Sequence, residues 1–134
     1  MNIQTIAEKI RNKCEVFANS EEAQGYDFYN DDDLGCMCAI ASFVLARELK
    51  KNGISCKVVC GRFEGNDHCW VETDTKIIDI TATQFIGSYP KVHIVSINNK
   101  KYTDGKIVDY RHFRTWGYGQ QPSSKITHEI LKVA

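Results

Sequence analysis

Leu34-Gly35-Cys36-Met37-Cys38-Ala39-Ile40-Ala41-Ser42 decides how this chain is read, because a polar loop ends there and an apolar helix begins. After the two thiols, Ala39, Ile40, Phe43, Val44, Leu45 and Ala46 are apolar nearly all round, which predicts a helix with a buried first half. The helix is expected from about Cys36 or Met37 to Lys51, with Arg47, Glu48, Lys50 and Lys51 marking its emerging end. Asn52-Gly53 supplies a left-handed stop.

Upstream, Ile3, Ile6, Ala7, Ile10, Cys14 and Phe17 recur at three- and four-residue steps and predict a helix over about residues 3–18. Gln24 to Asp33 is polar and aromatic and reads as a loop; its acids Asp31-Asp32-Asp33 favour the start of the next helix. Downstream the period changes. Residues 57–63, 68–72 and 76–80 read as three strands of an antiparallel meander, turning at 64–67 and 73–75. Lys91 to Ile97 and Lys106 to Tyr110 read as two more strands, with a turn at Asn98-Asn99 or Asp104-Gly105. Pro122-Ser123-Ser124 starts a short last helix with Ile126, Ile130, Leu131 and Val133 inside. The order helix, helix, sheet, helix predicts one α+β domain over residues 1–134.

The chain's 134 residues suffice for a domain that buries roughly 65–70% of its unfolded surface without a staple. Lysine plus arginine equals aspartate plus glutamate, 17 each, so nothing points to nucleic acid or an anionic membrane as partner. No run approaches ~18 apolar residues, and the N-terminus lacks a basic start with an unbroken apolar run. A cytoplasmic protein is expected. Six cysteines are then expected to stay reduced, with Cys14, Cys56 and Cys60 as small apolar core residues.

A thiol becomes a useful nucleophile as thiolate, and a helix N-terminus with a nearby imidazolium lowers its pKa from ~8.5. Cys36 and Cys38 sit at such an N-terminus, and His68 begins the middle strand of the meander. Asp79 follows on the neighbouring strand, and the tight turn at Thr73 to Thr75 lets His68 and Asp79 lie nearly opposite each other. In that geometry a carboxylate fixes the imidazole tautomer while the other ring nitrogen faces the thiol.

Gly35-x-x-Cys38, an apolar helix, Lys51-Asn52-Gly53-Ile54, a strand with Cys60-Gly61, His68-x-Trp70-Val71-Glu72 and Ile78-Asp79 follow in order. Together they resemble the transglutaminase-like branch of the papain-like cysteine enzymes. The match covers about residues 34–85, and Asp79-Ile80-Thr81-Ala82-Thr83-Gln84-Phe85 is similar to small bacterial and phage-borne members. The resemblance implies a papain-like core, a nucleophile helix packed on an antiparallel sheet. It implies Cys38 as nucleophile, His68 as base and Asp79 as orienting acid, with no cofactor and no metal. Cys38 is preferred over Cys36 because Gly53 follows it by fifteen residues, the family's spacing. Cys36 then stands where the family has a small residue, often glycine.

The implied reaction is attack on an amide or thioester carbonyl of a protein or peptide substrate, as peptidase, deamidase or transamidase. The obvious oxyanion donor is the Cys38 backbone N–H. Gln24, Tyr29 and Asn30 are the side-chain candidates from the preceding loop. Two other interpretations compete: a catalytically silent fold used as a regulatory binding module, and a zinc site built from Cys36, Cys38, His68 and Cys69. His93, His112 and His128 lie in poor contexts for a direct role. The segment from Tyr110 to Gly119 reads equally as a cleft wall, a partner surface or a packed loop.

Overall fold

A computed structural model describes residues 2–118 and 121–133. It is α+β, with helices packed on an antiparallel sheet. Helix α1 (Ile3–Ala18) starts at Asn2, whose side chain accepts from Thr5 N–H, and buries Ile6, Ala7, Ile10, Cys14 and Phe17. Helix α2 (Cys38–Lys51) buries most of its length, as expected of an element apolar all round. It stops at Asn52, and Gly53 follows with φ +79°, the left-handed conformation glycine adopts without cost.

Strands β1 (Lys57–Phe63), β2 (Asn66–Glu72) and β3 (Lys76–Asp79) form the predicted meander. The next two strands depart from a simple hairpin. Strand β4 (His93–Ser96) pairs with β3, while β5 (Tyr102–Val108) crosses to the far edge and pairs with β1, giving the order β4-β3-β2-β1-β5. Strand β5 also starts four residues before the expected Lys106. Asp104-Gly105 therefore lies within the strand rather than making a turn, at the irregularity where the β1–β5 register shifts between Cys60 and Arg62. A Cβ on Gly61 would stand 2.5 Å from Thr103 O, so close backbone approach requires glycine there.

Tyr110 is not the end of a strand. It opens the short helix α3 (Tyr110–Phe113), started by Asp109 accepting from Arg111 N–H. Two short strands, β6 (Gly117–Tyr118) and β7 (Gln121–Pro122), pair before helix α4 (Ser123–Leu131). Gly119, the last residue of the aromatic segment, lies outside the described residues.

Both sheet faces are covered. Val58, Cys69, Val71 and Ile78 face the helices in the main core. Val59, Phe63, Trp70, Ile77 and Tyr102 form a smaller cluster on the other face, packed against Phe85 and Tyr89. Arg11, 2% exposed, ties the layers together although it lies on a helix. Its guanidinium donates to Ile80 O (2.7 Å), Thr83 Oγ1 (2.8 Å) and Asp32 O (2.7 Å). Its Nε makes no hydrogen bond, and Glu15 Oε2 stands 3.3 Å away as an ion-pair partner.

One expectation about the thiols fails. Cys60 is not a reduced core residue; it is half-buried and disulfide-bonded to Cys69. The two are direct register partners on β1 and β2 with Cα atoms 4.2 Å apart, a cross-strand closeness that linear sequence does not reveal. Cys56 is half-buried, its thiol donating to Ala46 O, and Cys14 is fully buried, which pushes its pKa up to about 12. Among the described residues no helix is long and apolar enough to cross a membrane.

Candidate functional site

Cys38 is the first residue of α2, where the leading N–H groups of a helix have no partner within it. The chain reaches it through a loop with three non-glycine residues at positive φ: Asn30 (+57°), Leu34 (+58°) and Cys36 (+66°). Leu34 is fully buried in this conformation, so packing holds the loop against its backbone strain. Cys36 occupies the left-handed region that favours glycine.

The structure brings Cys38, His68 and Asp79 together. His68 is 2% exposed and Asp79 1%. His68 Nε2 donates to Asp79 Oδ2 at 2.8 Å, and Cys38 lines the same cleft as the ring, close enough to favour its charged form. His68 and Asp79 are not strictly opposite. The β2–β3 ladder sets Val71 against Ile78, so one step further Asp79 faces Trp70. His68 meets Asp79 along the diagonal of the same sheet face, within reach of two side chains of this length.

Asp79 is satisfied on both oxygens. Oδ1 accepts from Thr81 N–H at 3.0 Å, and Oδ2 accepts from the Tyr102 hydroxyl at 2.8 Å. His93 Nδ1 lies 3.0 Å from the same hydroxyl and donates to it, so β4 and β5 both brace the carboxylate. Burial and the Asp79 charge push Tyr102 well above the usual phenol range, which keeps it a donor. Burial opposes a charged His68, but the hydrogen bonds and charges of Asp79 and Cys38 outweigh it and raise its pKa to about 9.

Segment 79–85 wraps the imidazole. Gln84 Nε2 donates to Thr81 O at 3.1 Å and stands 3.5 Å from His68 Nδ1. Phe85 meets the ring edge-on, centroids 4.7 Å apart. Gln84, Tyr102, His93 and Arg11 were all absent from the sequence-based site. Only the segment 79–85 itself carried a signal, and it pointed to a resemblance rather than to Gln84.

Cys38 and His68 open on a cleft of about 570 Å³ shared with Cys36, the Cys60–Cys69 pair, Trp116 and Tyr118. The aromatic segment left undecided by sequence thus supplies a cleft wall through Trp116 and Tyr118. Burial, then Cys38 and Cys36, push Tyr118 up to about 12, so its hydroxyl remains protonated in the cleft. Partial burial and then Asp27, Cys38 and Asp31 raise the Cys36 pKa, surroundings that disfavour its thiolate. Gln24, Tyr29 and Asn30 do not line the cleft; Gln24 donates to the Tyr29 hydroxyl at 3.4 Å. A more apolar cavity of about 480 Å³ lies between α2 and β5 and contains none of Cys38, His68 or Asp79.

The zinc arrangement does not assemble. Cys69 is bonded to Cys60, and among the described residues no three of His, Cys, Asp and Glu are placed to hold a metal ion. Compared with protein-family models, curated proteins and solved structures, the chain finds no match.

Proposed function

We propose that this chain is a cysteine-nucleophile enzyme with a papain-like, transglutaminase-like core, acting on an amide or thioester carbonyl of a protein or peptide. One observation carries the reading: His68, held by Asp79 at 2.8 Å, shares a cleft with the thiol at the first residue of α2. A buried imidazole that only needed satisfaction would not require a carboxylate on one side and a partly exposed thiol on the other.

In this mechanism the Cys38 thiol passes its proton to His68 Nδ1, and Sγ attacks the carbonyl carbon. Asp79 and the braced ring supply orientation and stabilise the imidazolium. The oxyanion forms beside the unpartnered N–H groups at the start of α2, with the Tyr118 hydroxyl as a further donor in the cleft. His68 returns the proton to the leaving amine or thiol, giving an acyl-enzyme on Cys38. Water then completes hydrolysis, or an amine completes transamidation.

The test is alkylation of the intact protein by iodoacetamide at pH 7, followed by peptide mapping. Cys38 should react far faster than Cys14 and Cys56, and His68→Ala should remove that advantage. Equally slow labelling of Cys14, Cys38 and Cys56 would exclude the enzyme and leave a binding module.

A further inference from the structure

Gln84 has two amide N–H donors. Thr81 O, 3.1 Å from Nε2, takes one and fixes the amide's orientation, since the flipped amide would set its oxygen against a carbonyl. The other donor is left toward His68 Nδ1, 3.5 Å away. Asp79 holds Nε2–H of the same ring, so Nδ1 is the acceptor of the neutral imidazole. In the mechanism proposed above, the Cys38 thiol passes its proton to that same lone pair. Two donors therefore contest one acceptor.

The contest has a direction. A Gln84 N–H facing Nδ1 stabilises the neutral ring and opposes an imidazolium, whose Nδ1–H would meet another N–H. Asp79 and a Cys38 thiolate favour the imidazolium. Tyr102 and His93 act on the ring only through Asp79. Cys36, Arg62, Asp67, Asp104 and Lys106 line the cleft, and none is hydrogen-bonded to the ring.

We propose that Gln84 is a positioning residue that competes with Cys38 for the Nδ1 lone pair of His68 and sets the balance between neutral thiol–imidazole and thiolate–imidazolium pairs. The inference rests on the triad proposed above. That balance sets what share of Cys38 is thiolate, the species that attacks a carbonyl or an alkylating reagent. The role comes from local geometry: Asp79, Thr81 and Gln84 sit on one short segment, so the group that favours the charged ring and the group that opposes it are positioned together.

The experiment follows the His68 imidazole by NMR across pH in the wild-type chain, Gln84→Met and Gln84→Glu, with Cys38 alkylation at pH 7 measured in parallel. Gln84→Met keeps the side-chain length and removes both donors. It should weaken the ring's acid dissociation constant about fivefold, the equilibrium effect of one hydrogen bond, moving the titration to higher pH. Cys38 alkylation at pH 7 should equal or exceed that of wild type. Gln84→Glu, which places an acceptor at Nδ1, should move the titration further, and decides alone if the methionine variant does not fold. A His68 titration that stays in place or moves down, or slower Cys38 alkylation, overturns the role of Gln84 while leaving the triad intact. A wild-type His68 that titrates near 6.5 and ignores Cys38→Ser overturns the triad and this inference with it.

Discussion

Tyr102 donates its hydroxyl to the same Asp79 oxygen, Oδ2, that receives His68 Nε2–H. Strands β2 and β5, which do not pair with each other, thus meet at one carboxylate atom. Tyr102→Phe deletes a buried donor to a carboxylate without emptying the ring's place against Phe63 and Trp70. Stability should fall by about 2 kcal/mol, the usual worth of a hydrogen bond to a charged group. Urea unfolding at neutral pH measures it, and a change within ~0.5 kcal/mol would mean the hydroxyl is not coupled to Asp79.

The raised His68 pKa makes stability depend on pH. It climbs from 6.5 to about 9 on folding, with burial opposing and the Asp79 and Cys38 interactions prevailing. The folded state then binds a proton that the unfolded state has released. This stabilisation is complete below about pH 6.5 and is lost as pH rises through about 9. Unfolding free energies should decline between those limits by a few kcal/mol at most, since each tenfold gain in proton affinity is worth about 1.4 kcal/mol. Asp79→Asn should flatten the decline.

The Cys60–Cys69 bridge joins β1 to β2 one residue from the pair Gly61 and His68. Non-reducing peptide maps should recover Cys60 and Cys69 linked, with Cys14, Cys36, Cys38 and Cys56 free. The double variant Cys60→Ala, Cys69→Ala should lose about 2 kcal/mol, less than a long-loop disulfide provides, because a tight hairpin already closes this loop. Free labelling of both thiols in protein purified without reductant would contradict the bridge.

Arg11 is a structural keystone for the site without touching it. Its three donations reach the loop before α2 and the segment after Asp79. Arg11→Met would leave Ile80 O unpaired in a buried setting and should cost about 3 kcal/mol or more. Arg11→Lys should recover only part, since one ammonium cannot present a planar fork to three acceptors. Equal stability of wild type and methionine variants in urea would refute the role.

Much of the secondary structure was legible because it is written in local periodicity. The apolar faces of α1 and α2, the stop at Gly53 and the alternation in β1, β2 and β3 each depend on neighbours within a few residues. The β5 start was missed because Asp104-Gly105, a pair that usually marks a turn, serves here as an irregularity beside Gly61. Periodicity cannot distinguish a turn from a bulge when the deciding contact lies on another strand.

The order of parts could be read directly from the chain: a thiol at a helix start, a histidine on the next sheet's middle strand, and an acid one strand on. The resemblance, through its family's spacing, favoured Cys38 over Cys36, and Cys36 lies in partly buried, acidic surroundings with left-handed backbone. The remaining features came from the folded arrangement alone. The diagonal meeting of His68 with Asp79, the Tyr102 and His93 brace, the Cys60–Cys69 bridge and the approach of Gln84 to Nδ1 all depend on strand register and chain return. Such contacts are made by backbone elements that each satisfy their own local rules. Their partners are chosen by which faces and edges meet after collapse, and that information is held by no single stretch of residues.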